Sequence, residues 1–372
     1  MWAQSMPTIG MNLYAHGYWD DALRWLKRCA LWGVFDERMR EAMERCTLRA
    51  DLKPEVFDPV LQRTLRRHPP RESAQYVYAI DVVGTCNLRC PTCPVGNSAA
   101  VSRPKGFMKL ELFERVLDKI VAERVSSAPE VWLFNWGEPL LHPELPSMIR
   151  AIRDRGLRCH LSSNLNVVKG LREVVQAGPH DFKISLSSWR ADDYAQTHAG
   201  GNLALVKSNM YQLRHWMDHY SQDFRVWVGH HLYKDRLDEV ETVKAVCEEL
   251  GFEHHPIPAF YQPLERLIEV IRPEQPRHAP VLDRLLEHPQ QYVARIRQER
   301  SADHDCELRF NQTAINFDGS VALCCSVYEP EQMLNLSFVD TPHEALQQAK
   351  YQHPFCATCM KAGTAYAFKR LS

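Results

Sequence analysis

The 372-residue chain has no run of roughly 18 apolar residues, the length needed to cross a bilayer. Its opening, MWAQSMPTIG, lacks the basic-then-apolar pattern of an export signal. It has no charge imbalance either: 45 Lys and Arg stand against 46 Asp and Glu, a formal net of −1. Nothing in that balance asks for nucleic acid or an anionic membrane surface. These absences point to a cytoplasmic protein with no nucleic-acid and no membrane partner. What the chain does have is a 45 % apolar fraction, which supplies a sizeable core and excludes wholesale disorder. It also has 12 cysteines. In a reducing compartment, clustered thiols bind metal or serve catalysis more often than they form disulfides.

Residues 11–66 read as helical. Ala22, Leu26, Cys29 and Ala30 share one face, and Met39, Ala42, Met43 and Cys46 share another. Cys29 and Cys46 on those faces read as packed core. The stretch LYAHGYWDDALRWLKRCALWG resembles one helical hairpin of a tetratricopeptide repeat. With no second copy at that period, it implies a small N-terminal helical cap over residues 1–74 that could meet a protein partner, rather than a solenoid. The run HPPRES at 68–73 marks the boundary.

From Tyr76 the pattern changes to short strands alternating with amphipathic helices. The strands are expected at Val77–Val83, Glu130–Phe134, Cys159–Ser163, Asp181–Leu186, Phe224–Leu232 and Phe252–Ile257. Helices separate them, as at Lys109–Ala122, Leu145–Arg155 and Asp235–Leu250. Six βα units over residues 75–260 predict an α/β fold with a parallel sheet and right-handed crossovers, open or curled into a partial (β/α)6 barrel. The chemistry then belongs in loops after the carboxyl ends of the strands. Residues 261–304 read as a helical connector or lid, and residues 305–372 as a small cysteine-rich domain. Within it, AINFDGSVALC is a hairpin turning at Asp318-Gly319.

The loop after the first strand reads GTCNLRCPTCPVGN and places Cys86, Cys90 and Cys93 in a C-x3-C-x2-C arrangement. At this cysteine frequency chance supplies roughly 0.01 such triplets. Three thiolates can hold three irons of a [4Fe–4S] cube and leave one iron open to a small molecule. Structural zinc asks for four closed ligands, and no fourth His or Cys lies nearby in sequence.

The motif resembles that of the radical S-adenosylmethionine (SAM) superfamily over residues 76–260. NWGEPLLHP, after the second strand, is similar to the family's Gly-Gly-Glu-Pro element. Gly137, Glu138 and Pro139 match it and are implied to hold the SAM amino group, while Trp136 replaces the first glycine. Ser163 and Asn164, after the third strand, stand where the family places polar residues near the ribose. KISLSSW resembles Ile-Ser-Leu-Asp-Gly: Ser185 matches the serine that contacts the SAM carboxylate, and Ser187 and Ser188 replace Asp and Gly.

The tail carries Cys306, Cys324-Cys325 and Cys356-Ala-Thr-Cys359. It resembles the SPASM/Twitch extension of radical SAM enzymes, in the shorter Twitch form. The resemblance implies that Cys306, Cys324, Cys356 and Cys359 ligate one auxiliary [4Fe–4S] cluster. By spacing alone a structural zinc site remains equally open. Successive residues on a strand face opposite ways, which leaves Cys325 as a free thiol that could return a hydrogen atom to a substrate radical. Cys159 and Cys247, and the pairs His230-His231 and His254-His255, are weaker candidates near the reacting centre.

The resemblance implies reductive cleavage of SAM to a 5′-deoxyadenosyl radical, hydrogen abstraction from a C–H bond, and a flavodoxin or ferredoxin reductant. The substrate reading is a peptide or protein, modified by oxidation, cross-linking or epimerisation. The alternative is a dehydrogenase or epimerase of an amino sugar or other small metabolite. Residues 1–75 show none of the hairpin signals of a winged-helix leader-binding domain. A third reading, from a different class, is a non-catalytic metal-binding interaction protein.

Overall fold

The computed structural model describes residues 2–16, several positions between 19 and 29, and residues 36–51, 76–98, 103–272, 274, 276–298 and 305–364. The boundary expected at 68–73 lies outside them. The chain divides into two compact units, Met1–Pro70 and Arg71–Ser372.

In the first unit, helices Trp2–Ala15 and Glu37–Asp51 are described. Ala22, Leu26, Cys29, Met39, Ala42 and Cys46 form one buried cluster, with Met43 packed at its edge. Cys29 and Cys46 are core residues, as their helical spacing indicated.

The second unit is built on one nine-stranded sheet. Its strands are β1 (Val77–Ile80), β2 (Glu130–Trp132), β3 (Arg158–Ser163), β4 (Asp181–Leu186), β5 (Arg225–Leu232), β6 (Glu253–Pro258), β7 (Gln312–Ile315), β8 (Ser320–Ala322) and β9 (Met333–Ser337). They run in the order β6-β5-β4-β3-β2-β1-β7-β8-β9. The first six pair in parallel, in sequence order, as the alternating pattern required. The tail was expected to stand as a domain of its own, but its strands continue this sheet. β7 pairs in parallel with β1, from Val77↔Gln312 to Ile80↔Ile315, and β8 and β9 follow antiparallel. The hairpin turns at Asp318-Gly319, where Gly319 takes φ +82° and Asp318 accepts the Ser320 amide at 3.0 Å.

Alternation decides which face is covered. Tyr78, Val131, Leu161, Phe182, Ile184 and Val228 point one way, into a core shared with helices Leu110–Glu123, Leu145–Asp154, Leu171–Ala177, Leu203–His219 and Val240–Leu250. Cys159 and Cys247 belong to that helix-covered core, which takes both off the reacting face. The connector folds as helices Leu264–Ile271 and Pro289–Gln298 with a 3-10 turn at Pro280–Arg284.

The opposite, inner face is polar. At its amino-terminal end Asp181 accepts Trp227 Nε1 at 2.7 Å and Arg225 Nη1 at 3.0 Å. Arg225 also pairs with Glu253 at 2.6 Å. Burial works to raise the Asp181 carboxyl, but its contacts with His160, Trp227 and Arg225 outweigh that and hold it below the usual range. The Arg225 hydrogen bond takes Glu253 down to about 2.

Carboxylates depressed by folding stabilise the native state above their unfolded values and lose that contribution as pH falls through the folded ones. Through Asp181 and Glu253, acidification from about pH 5 to 2 should therefore destabilise the wild type progressively. Asp181→Asn should cost about 2 kcal/mol at pH 7 in urea titration and flatten the acid dependence.

Candidate SAM and iron–sulfur sites

The cysteine loop leaves the carboxyl end of β1 and is fixed by its backbone. Cys93 N donates to Cys90 O at 3.0 Å, and Arg89 N to Ala199 O at 2.8 Å. Leu88 N lies 3.4 Å and Asn164 Nδ2 3.6 Å from Cys86 Sγ, both directed at the sulfur. Burial pushes the Cys93 thiol up to about 12 and Cys86 to about 11. Cys90 is raised by burial and then by the charges of Cys93 and Cys86, which makes the three thiols electrostatic neighbours. Among the described residues no group of three or more His, Cys, Asp or Glu is placed to hold a single metal ion. The donor set suits a cluster: three soft sulfurs on one loop, with N–H groups directed at Cys86, and no fourth protein ligand.

The Gly137-Glu138-Pro139 loop abuts this one. A Cβ on Gly137 would stand 1.7 Å from Val83 O, so only glycine allows the contact. Gly137 N donates to Asp81 Oδ1 at 2.9 Å. Glu138 is buried, and both its oxygens are taken within the protein. It accepts from Ser163 Oγ at 2.8 Å, Leu140 N at 3.0 Å and Asn164 N at 2.9 Å. Burial lifts its carboxyl to about 7 against those hydrogen bonds, and lifts Asp81 to about 6. The Glu138 side chain thus clamps the loop after β2 to the loop after β3. Trp136, where the family has glycine, donates Nε1 to Val327 O in the tail at 2.8 Å and stands edge-on to Tyr328.

Of the other residues expected around SAM, Ser163, Asn164 and Ser187 are bonded within the protein. Ser163 bonds Glu138 and accepts from Leu165 N at 2.9 Å. Asn164 Nδ2 also reaches Asn87 Oδ1 at 3.0 Å. Ser187 bonds Thr197 Oγ1 at 2.6 Å and His198 Nδ1. Ser185 is half-buried on the inner face of β4, in register with Gly229.

The sequence reading missed several neighbours. Lys183 lies one pleat from Ser185, with its ammonium 5.1 Å above the Trp227 ring. His198 stacks on Tyr194 at 4.8 Å. Of the paired histidines, His231 carries a buried Nε2 with no hydrogen-bond partner among the described residues. His230 bonds His254 at 3.2 Å and His255 bonds Glu253 at 2.8 Å. Period-two alternation from Ser185 was the signal that would have found Lys183.

In the tail, Cys306, Cys324, Cys356 and Cys359 line one cavity together with Arg309. Burial first, and then neighbouring cysteines, push Cys306 up to about 12; burial likewise takes Cys359 to about 11. Four sulfurs with no histidine or carboxylate among the lining residues make a donor set that a [4Fe–4S] cube fits. Cys325 is not part of that lining. Its amide meets Gln312 Oε1 at 3.4 Å and its sulfur lies 3.7 Å from Ser326 Oγ. Both cysteines lie beyond the end of β8, so a turn rather than the pleat separates them. This placement gives no support to Cys325 as a hydrogen donor.

The structure thus places a three-thiol loop at the carboxyl edge of the parallel strands. Residues 80–249 match the family model of the Radical SAM superfamily. The family uses a [4Fe–4S] cluster together with SAM. The chain is 28 % identical over 106 residues to the tungsten-containing aldehyde ferredoxin oxidoreductase cofactor-modifying protein of Pyrococcus furiosus, covering 28 % of each chain. It is 31 % identical over 132 residues to GTP 3′,8-cyclase of Pelotomaculum thermopropionicum, covering 34 % of this chain and 38 % of that one. It thus spans well under half the length of these curated relatives. Among solved structures, Streptococcus suis SuiB bound to the precursor peptide SuiA aligns at a TM-score of 0.52 and 11 % identity. That alignment covers 93 % of this chain and 84 % of SuiB, a likeness of fold.

Glu138→Gln keeps the volume but sets an amide N–H against one of the three donors. It should cost about 2 kcal/mol in urea unfolding, and a variant as stable as wild type would show that Glu138 does not clamp the two loops.

Proposed function

We propose that the protein is a radical SAM enzyme with a partial (β/α)6 barrel, acting on a C–H bond of a peptide or protein side chain, with one auxiliary [4Fe–4S] cluster in a Twitch-like tail. The observation that carries this reading is the pairing of β1 with β7. It fixes a three-thiol loop and a four-thiol cavity on one sheet.

Cys86, Cys90 and Cys93 would hold the first cluster, and Cys306, Cys324, Cys356 and Cys359 the second. When bound and reduced, the first cluster and SAM supply a 5′-deoxyadenosyl radical. The chain's own part is positioning. Gly137 presents a backbone without a side chain beside the cysteine loop, held by Asp81 and Glu138. Ser185 offers a hydroxyl from the inner face toward the SAM carboxylate. The Asp181–Arg225–Trp227 network closes the amino end of that face, and the helix-covered core seals its back, which keeps water from a reactive centre.

The peptide reading draws on the SuiB fold likeness, since that structure holds a precursor peptide. A flavodoxin or ferredoxin would supply electrons in the cytoplasm, and the N-terminal helices would offer a surface to a protein partner. No helix among the described residues is long and apolar enough to cross a membrane.

Anaerobic protein with SAM and dithionite should release 5′-deoxyadenosine, and Cys86→Ala should lose that release by about 100-fold or more. Ser185→Ala should weaken SAM binding by roughly tenfold, the worth of one hydrogen bond. Iron analysis should give about eight atoms per chain, falling to about four in Cys356→Ala/Cys359→Ala. Wild-type protein that binds zinc instead of iron and leaves SAM intact would sink the enzyme reading. Turnover of an amino sugar but of no peptide would replace the substrate class.

A further inference from the structure

The four-cysteine cavity has a fifth polar feature. Arg309 lines it, and its Nε is buried with no hydrogen-bond partner among the described residues. Nη2 bonds Asp305 Oδ1, and the plane lies 4.0 Å over the Tyr351 ring. Asp305 also accepts the Cys306 amide at 2.7 Å, so one carboxylate orients both the arginine and the first cysteine of the set. A buried N–H left without an acceptor is costly. Here the other lining side chains are sulfurs and apolar groups, so the side-chain acceptor the cavity offers is sulfur, from a thiolate or from an inorganic sulfide. Arg309 is an electrostatic neighbour of Cys356 and Cys359. A second cation lies behind the site: the fully buried Lys350 donates to Gln312 O and Thr313 Oγ1, and its charge reaches Cys325 and Cys356.

We propose that Arg309 is a positioning residue of the auxiliary site, donating its Nε–H to a cluster sulfur and, with Lys350, raising the reduction potential of that site. The inference rests on the auxiliary-cluster reading above. One-electron reduction adds a negative charge to the cluster. A directed N–H···S hydrogen bond and nearby positive charge stabilise the reduced form more than the oxidised one. The tail is thereby built to accept an electron more readily than the same four thiolates would in an apolar cavity.

The test uses full-length protein carrying Cys86→Ala/Cys90→Ala/Cys93→Ala, so that only the auxiliary site holds iron. Dithionite reduces it stepwise while paramagnetic resonance reads the midpoint. Arg309→Gln, which removes both charge and Nε–H, should shift the midpoint downward. Arg309→Lys, which keeps the charge and loses the fixed donor, should shift it less. Unchanged midpoints with intact iron content overturn the proposal. A second readout needs no substitution at Arg309. With 15N-arginine in the protein, pulsed resonance of the reduced site should show coupling to an arginine nitrogen, and its absence overturns the proposal even where the Arg309 variants fail to fold. About four irons per chain in this background confirm the underlying cluster. Zinc in their place overturns the cluster reading and the inference with it, and metal analysis reports that separately from any shift in midpoint.

Discussion

Four ladder positions, Val77 to Ile80, hold the rest of the second unit in register. β1 pairs with β2 on one side and β7 on the other, so its backbone groups fix three loops at once. Its own carboxyl end starts the cysteine loop, the end of β2 starts the Trp136–Pro139 loop, and β7 brings in the tail. Asp81, the first residue after the strand, extends the arrangement. Its amide still donates to Ile315 O at 2.8 Å, and its carboxylate accepts the Gly137 amide. Backbone hydrogen bonds repeat at fixed spacing, so a register set there leaves the loops little freedom. Side-chain clasps add to it, as with Tyr76 Oη and Thr313 Oγ1 at 2.7 Å.

Buried acids do the local positioning. Glu138 spends both oxygens on three donors from two loops, and Asp81 spends one on Gly137. Burial raises both carboxyls, a cost set against the rigidity that their hydrogen bonds give these loops. Asp305 repeats the device in the tail, holding Arg309 and the Cys306 amide together. Trp136 joins the two regions by a single bond to Val327 O, two residues beyond Cys325. The cysteine-bearing loops and their neighbours are thus held by carboxylates and one indole, over a helix-covered core.

Much of this was legible in one dimension. The span Asp181–Leu186 is the observed β4 to the residue, and the remaining strands begin or end within a few positions of their expected limits. The hairpin turns at Asp318-Gly319 because that pair suits the left-handed turn, a property of two adjacent residues. Cys29 and Cys46 read as core from helical spacing and are core. The tail reading fell short in one respect: nothing local to Gln312–Ile315 says that its partner is β1, some 230 residues earlier. The position of Cys325 was argued from a pleat that ends at Ala322, and the turn beyond it follows different geometry.

The sequence by itself determined the element types, the two cysteine groups and the class of chemistry they suit, because periodicity and ligand spacing are properties of neighbouring residues. Only the tertiary structure decided which side chains near those groups are free and which are spent. Ser163, Asn164 and Ser187 look alike with Ser185 in one dimension, yet the first three bond protein partners, while Ser185 stands half-buried on the inner face. Lys183, Trp136 and Arg309 gain their places from sheet register and from contacts across long sequence separations. A hydrogen bond is made or left open by groups that meet in space, and where distant segments meet is fixed by the fold as a whole.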